Sequence, residues 1–308
     1  FLPDLFPNAY TGIIVSILFY ATGGGLIEVL VSPIVEACPI KNKKAAMSLL
    51  HSFYCWGHLF VVLASTLFFT AFGIKNWRIL AFIWSIVPFI NTFYFAKVPI
   101  AHLTQEGEQM NLKELFSSKQ FLLFILIMVC AGASEQGISQ WASAFAEAGL
   151  GVSKTVGDLA GPSLFAITMG TSRVVYSKIS EKIDLNKYMT GCAVLCIVAY
   201  SVASFSGNPI FSLLGCAMCG FSVGVMWPGS FSLASEKFPK GGTAMFAFLA
   251  LAGDFGCSFG PTVVGFATSV LNDDLKKGVF AATVFPVMLI IALWVMKKSK
   301  TQKLDNIN

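Results

Sequence analysis

Long apolar runs dominate the chain, and short polar intervals separate them. Nine of the runs are long enough for a helix to cross a bilayer core, which needs about 20 residues. They cover residues 12–37, 45–72, 77–96, 119–147, 156–177, 187–206, 209–235, 242–271 and 278–296. Unbroken runs of this kind favour helices over the short alternating segments of a membrane β-barrel. The pattern predicts an all-α polytopic membrane protein.

Composition and charge placement support this class. The chain is 56% hydrophobic and only 12% charged, which is too apolar for a soluble fold of 308 residues. A cytoplasmic carboxyl terminus puts most of the 21 lysines and arginines on the inner side. The exceptions are Lys75, Arg78, Lys154, Lys276 and Lys277. We therefore expect a multi-pass protein of the cell membrane and no nucleic-acid partner, because topology accounts for the net charge of +5.

Two segments of the chain resemble each other. Each ends an apolar run in Glu-x-x-Pro, crosses a short basic stretch and restarts at an Ala-Met pair. The paired positions are Gly24 and Gly224, Glu36 and Glu236, and Pro39 and Pro239. This repeat indicates a duplicated membrane protein.

The longest polar interval, residues 97–118, divides the chain into residues 1–96 with three spans and residues 119–308 with six. The repeat aligns the first span of the shorter part with the fourth span of the longer part. Two six-helix halves joined by a cytoplasmic linker resemble the major facilitator superfamily. The resemblance implies that residues 1–96 are helices four to six, that residues 119–308 are helices seven to twelve with a basic tail, and that the first three helices are missing here.

The segment from Gly170 and Arg173 to Glu181 and Lys182 is similar to the superfamily's loop motif between helices eight and nine. The resemblance implies a conformational role, in which a carboxylate near the helix ends holds cationic partners in one state and releases them in another. A solvated basic loop is the alternative interpretation.

The segments 25–33 (GLIEVLVSP) and 47–57 (MSLLHSFYCWG) resemble helices four and five of proton-coupled fucose permeases and related sugar symporters. The resemblance implies proton-coupled sugar uptake and places Glu28 on the helix-four glutamate of that family. Tyr54 stands where the family commonly has asparagine, so the family's substrate preference does not transfer.

Two carboxylates at span depth are candidates for coupling. An ionisable group in mid-membrane costs about 2.5–3.5 kcal/mol, so each one needs a reason. Glu28 shares a helix face with Gly24, Gly25 and Ser32, and a carboxyl group in such a dry cleft can hold a proton and release it when hydrated. Asp254 is the second candidate for proton coupling. A structural carboxyl bonded to a neighbouring helix is the alternative for both.

A strip of polar and aromatic residues is the candidate substrate site. It comprises Glu135, Gln136, Gln140 and Trp141 on helix seven and Trp227 on helix ten. Amides and carboxylates bond sugar hydroxyls, and an indole packs on the C–H face of a sugar ring. Pro228 is expected to bend helix ten beside the cavity. A polar seam between helices, or core packing of the tryptophans, is the alternative.

His51 and His58 share a helix face, where a structural role is the simpler interpretation and a proton relay the alternative. The eight cysteines lie in or at the ends of apolar spans, and we interpret them as core residues. We expect no metal site and no cofactor.

The leading hypothesis is a monomeric secondary transporter that takes up a sugar or another small polar solute with protons, Na⁺ not being excluded. The alternatives are a proton-coupled exporter of amphipathic compounds and a membrane sensor that does not transport. An enzyme is not expected, since the sequence shows no nucleophile and base pair and no His-Glu-x-x-His set. A primary pump is disfavoured because there is no phosphate-binding loop.

Overall fold

The computed structural model of the chain describes residues 2–104, 109–150 and 153–305. Its α-helices are α1 (Ala9–Ala37), α2 (Lys43–Phe72), α3 (Trp77–Phe95), α4 (Leu112–Ser117), α5 (Lys119–Ser139), α6 (Ala142–Leu150), α7 (Lys154–Ile179), α8 (Leu185–Phe205), α9 (Pro209–Val223), α10 (Met226–Lys237), α11 (Gly242–Val270), α12 (Leu275–Ala281) and α13 (Val284–Asp305). The predicted all-α class is confirmed. Residues 105–108 of the expected linker and 306–308 of the expected tail lie outside the described residues.

Eight helical segments within the described ranges are long and apolar enough to cross a membrane by length and composition. They correspond to eight of the nine predicted spans. The remaining prediction, residues 156–177, forms the 26-residue helix α7. That helix is not among the eight, because glycine, serine, threonine and charged residues occur throughout it.

Short polar side chains begin many of the helices. A carboxamide or carboxylate oxygen at the N-cap accepts a bond from a backbone N–H that has no partner in the first turn. The residues that do so are Asn8, Asn42, Asn111, Asp184, Asn208 and Asp274. In Asp274, outside the spans, the bond from the Lys277 backbone N–H lowers the pKa of the carboxyl group.

Three predicted spans are interrupted. The breaks lie between α5 and α6, between α9 and α10, and between α12 and α13. Two of them have a simple cause. Proline has no N–H, so Pro228 and Pro286 cannot donate to the carbonyls four residues earlier, which belong to Gly224 and Ala282. The bend expected at Pro228 is therefore present as a break one turn before the proline.

The packed core lies in the longer part of the chain. In the most apolar window of α1, α2 and α3, only 0%, 6% and 6% of residues are buried, against 67% in the span that contains α5. Helix α5 packs against α11, α13, α10 and α9. Helix α7 lies against α2 and α9, and α1 lies against α11 and α2.

Glycines allow α5 and α11 to approach closely. A Cβ at Gly132 would overlap the Gly253 carbonyl, and a Cβ at Gly256 would overlap the Val129 carbonyl. Close approach through small residues is the usual way in which membrane helices gain packing energy. This contact fixes which face of α5 is left for the other helices.

We expect Gly256→Ala to destabilise the protein by about 1–3 kcal/mol, because backbone atoms of α5 cannot rotate away from the new methyl group. The matched control is Gly191→Ala in α8, where nothing lies within 4 Å of the added Cβ. That change should be neutral or stabilising, because alanine is the better helix former. Thermal unfolding of both variants in detergent measures the difference. Equal melting temperatures would contradict the tight α5–α11 contact.

Candidate functional site

A cavity of about 970 Å³ opens between α1, α2, α5, α7, α10 and α11. Most of the residues singled out in the sequence line it. These are Glu28, His51, Tyr54, His58, Glu135, Gln136, Gln140, Arg173, Trp227 and Asp254. The polar residues of five different helices therefore converge on one space.

The α1 wall of the cavity follows helical spacing. Tyr20, Gly24, Ile27, Glu28 and Val31 line the cavity, and they recur every three or four residues on one face. Ser32, expected on this face, is buried instead. Its hydroxyl lies 3.1 Å from Nε2 of His51 on α2.

Glu135 and Arg173 form a buried ion pair. Nη2 of Arg173 lies 3.3 Å from a carboxylate oxygen of Glu135, and the two side chains are 2% and 7% exposed. Removing one partner of such a pair typically costs about 3–5 kcal/mol, because the other charge is left buried without compensation. The pair joins α5 to α7.

The Arg173 side chain makes three further hydrogen bonds. Its Nε donates to the Gly224 carbonyl at 2.7 Å, and its Nη1 donates to the His51 carbonyl at 2.7 Å. Nη1 also lies 3.3 Å from Sγ of Cys55. The Gly224 carbonyl is the acceptor that Pro228 leaves free. Arg173 therefore supplies the hydrogen bond that is missing at the break between α9 and α10.

Glu28 and Asp254 differ from Glu135. Within the described ranges, neither carboxyl group has a hydrogen bond or an ion pair, yet both line the cavity. They come from α1 and α11, and the Glu28 carboxylate is close enough to those of Asp254 and Glu135 for its charge to interact with both. Two carboxyl groups without fixed partners therefore face the same space.

The predicted substrate strip divides in two. Gln136, Gln140 and Trp227 line the cavity. The indole of Trp227 also fills the space beside Gly253 and is 6% exposed. Trp141 is not among the lining residues, because Ser139 ends α5 and the next turn directs its Nε1 to the Pro261 carbonyl at 3.4 Å.

The two histidines occupy different surroundings on α2. The ring of His51 stacks on Phe231 at 5.8 Å. The ring of His58 meets Tyr54 edge-on at 6.2 Å. The sequence singled out both histidines but marked Tyr54 only as a departure from the family it resembles. An aromatic residue with a polar tip, on a face that carries two histidines, was the available signal that Tyr54 faces the cavity.

A second, charged cavity of about 600 Å³ lies where α1, α7 and α10 end and α2 begins. We call the charged residues that line it the charged cluster: Glu36, Lys41, Lys43, Lys44, Glu181, Lys182, Asp184 and Glu236. Lys44 pairs with Glu236 at 2.7 Å, and Lys43 pairs with Glu36 at 3.6 Å. The repeat thus brings its two glutamates, Glu36 and Glu236, into one place.

The four residues of the loop motif lie in two places. The Asn42 amide donates to Ser180 at 2.9 Å and to Glu181 at 3.2 Å, and Lys182 also belongs to the charged cluster. Gly170 and Arg173 lie inside α7, where an added Cβ at Gly170 would press on the Trp56 ring. Only the second half of the motif is therefore in the loop.

The described residues contain no group of three or more His, Cys, Asp or Glu side chains that could hold a metal ion. The cysteines are free thiols, with Sγ of Cys196 and Sγ of Cys219 3.8 Å apart. The chemistry that the cavity offers is hydrogen bonding, proton exchange and aromatic packing.

We expect Glu135→Gln to lower the free energy of unfolding by about 3–5 kcal/mol, because it leaves Arg173 buried and unpaired. Glu28→Gln is the matched control and should be neutral or stabilising, since it removes a carboxyl group without a partner from the membrane. Thermal unfolding followed by tryptophan fluorescence compares the two. Equal losses of stability in the two variants would contradict the ion pair between Glu135 and Arg173.

The chain matches the family model of the Major Facilitator Superfamily over residues 1–261. Over 150 residues it is 27% identical to the glucose/mannose transporter GlcP of Bacillus subtilis (strain 168), an alignment that covers 46% of this chain and 34% of GlcP. The aligned part is thus about a third of the length of that relative.

Solved structures show the same fold. A crystal structure of a variant of the E. coli fucose:proton symporter FucP matches with a TM-score of 0.76 at 14% identity, covering 93% of this chain and 77% of that one. A structure of FucP in the outward conformation matches with a TM-score of 0.76 at 13% identity, covering 93% of this chain and 76% of that one. At such low identity the likeness concerns the fold alone. Together with the family match, it shows that this multi-pass membrane chain belongs to the major facilitator superfamily.

Proposed function

We propose that the protein is a proton-coupled transporter of a sugar or a similar small polar solute. The observation that carries the proposal is the convergence of acceptors, amides and an indole on one cavity. Glu135, Gln136 and Gln140 bond hydroxyl groups, and Trp227 packs against the apolar face of a ring. The names of the similar proteins, a glucose/mannose transporter and a fucose:proton symporter, agree with this solute class.

Proton coupling is assigned to Glu28 and Asp254. A carboxyl group that carries a proton between two sides of a membrane must be free of fixed ion pairs, and these two are the unpartnered carboxyl groups among the described residues of the cavity. Glu135 is held by Arg173 and serves as a fixed acceptor for solute hydroxyls. The roles of the three carboxyl groups thus follow from which of them has an ion-pair partner.

Transport proceeds by rocking of residues 1–96 against residues 119–308, joined by the linker 97–118. The charged cluster lies on the cytoplasmic side, with the carboxyl terminus. Lys44 of α2 and Glu236 of α10 hold the two parts together there. Their separation opens the cavity inward.

The decisive experiment uses the protein at its natural length in sealed vesicles. Glucose, mannose or fucose is added, and the external pH is recorded. Alkalinisation with one sugar, its loss in Glu28→Gln and retained sugar binding are expected, because the amide cannot carry a proton. Asp4→Asn is the control, since Asp4 lies in an exposed ion pair with Arg78 away from the cavity.

A pH trace that stays flat with every sugar would refute the proposal. Sodium coupling, export of amphipathic compounds or sensing without transport would then be the functions to test. Binding of a sugar without any flux would favour the sensor.

Lys44→Gln should favour the inward-open state. An exposed ion pair contributes about 0.2–1 kcal/mol, so its loss shifts the population by at most about fivefold. The measurement is the rate at which a membrane-impermeant maleimide on the cytoplasmic side labels Cys257, which lines the cavity, in a Cys38→Ser background. Lys43→Gln is the matched control, because its partner Glu36 lies in the same part of the chain. Equal labelling rates in both variants would contradict the role of Lys44.

A further inference from the structure

Arg173 occupies an unusual position for a charged residue. It is 2% exposed, within a helix of a membrane protein, and it reaches three other helical segments. Its Cζ lies over the Tyr54 ring, 5.9 Å from the ring centroid. The backbone of Arg173 is tied to α2 as well, because the Ser48 hydroxyl donates to its carbonyl at 2.7 Å.

The guanidinium is anchored by backbone rather than by its counter-ion. The bonds to the Gly224 and His51 carbonyls are both 2.7 Å, whereas the contact with Glu135 is 3.3 Å. Backbone carbonyls move only with the chain segments that carry them, so the two short bonds set the position of the planar guanidinium. The guanidinium group in turn presents Nη2 to the Glu135 carboxylate. Glu135 is therefore held by a guanidinium whose own position is set by α2 and Gly224, and both side chains of the pair line the cavity.

We propose that Arg173 is a positioning residue: it fixes the Glu135 carboxylate for the solute and links that carboxylate to α2 and to the break at Gly224. This inference rests on the proposed function, in that the cavity must bind a hydroxylated solute. A solute hydroxyl donates to the Glu135 carboxylate while Nη2 holds it, since a carboxylate accepts several hydrogen bonds at once. Binding of a solute in the cavity thereby affects the contact between α2 and α7 and the break between α9 and α10.

The link to Gly224 depends on Pro228. An amide N–H at position 228 would compete with Arg173 for the Gly224 carbonyl, because residue 228 is the normal helix donor to that oxygen. Pro228→Ala should therefore loosen the arginine without changing any atom of Arg173 or Glu135. Pro228 also neighbours Trp227, so the substitution acts on binding by two routes, one through Arg173 and one through Trp227. A double-mutant cycle separates them.

The experiment measures equilibrium binding of radiolabelled glucose, mannose and fucose to the protein at its natural length. The variants are Arg173→Lys, Pro228→Ala and the double variant, all assayed well below their melting temperatures. Lysine keeps the charge but cannot bond two carbonyls and a carboxylate in one plane. We expect affinity to fall about tenfold in Arg173→Lys, which corresponds to about one hydrogen bond to a charged group. Pro228→Ala should weaken binding in the wild type and have no effect in the Arg173→Lys background.

Arg78→Lys is the matched control, because it makes the same substitution in an ion pair of 2.8 Å on the exposed surface. Its affinity should equal that of the wild type. If Arg173→Lys does not fold, Glu135→Asp replaces it in the cycle, since it withdraws the carboxylate from Nη2 by one methylene group. The effect of Pro228→Ala should then shrink in the Glu135→Asp background.

The results distinguish a failure of the role given to Arg173 from a failure of the proposed function. A wild-type protein that binds none of the sugars overturns the proposed function, and the inference falls with it. A wild type that binds, with Arg173→Lys equally tight and only less stable, overturns the inference alone. Additive effects of Arg173→Lys and Pro228→Ala overturn the link through Gly224, because the proline then acts through Trp227.

Discussion

A backbone carbonyl inside a membrane-spanning bundle has no bulk water to bond, so every interruption of a helix must be satisfied by the protein. Pro228 frees the Gly224 carbonyl, and Arg173 donates to it. A buried guanidinium requires a counter-charge, which Glu135 supplies from α5. The polar arrangement of the cavity follows from this one break: proline creates the acceptor, arginine fills it and glutamate neutralises the arginine.

The helix packing makes that arrangement possible. Gly132 and Gly256 bring α5 and α11 together closely enough to fix the rotation of α5, and this rotation directs Glu135 towards α7. The same contact brings Asp254 of α11 to the cavity that Glu28 reaches from α1. Two kinds of carboxyl group result. Glu135 has a fixed partner, whereas Glu28 and Asp254 have no ion-pair or hydrogen-bond partner in the part of the chain that the structure describes.

The sequence predicted most of the helices because the length of an apolar run is a local property. It predicted the site less completely. Trp141 follows Gln140 directly and was expected beside it at the cavity, but the end of α5 at Ser139 turns the indole to Pro261. Helical spacing does not anticipate such a break where no proline is near. Gly170 and Arg173, grouped with a loop by motif, pack inside α7 against α2.

By itself the sequence determined that the chain crosses a membrane as helices, about where its membrane spans begin and which few polar residues lie at span depth. Only the tertiary structure decided which of those residues are partners. Glu135 and Arg173 are 38 positions apart, and Arg173 and Gly224 are 51 apart. No periodicity connects them. Their contact depends on how closely helices approach and where helices break, and both are set by packing between segments distant in the chain.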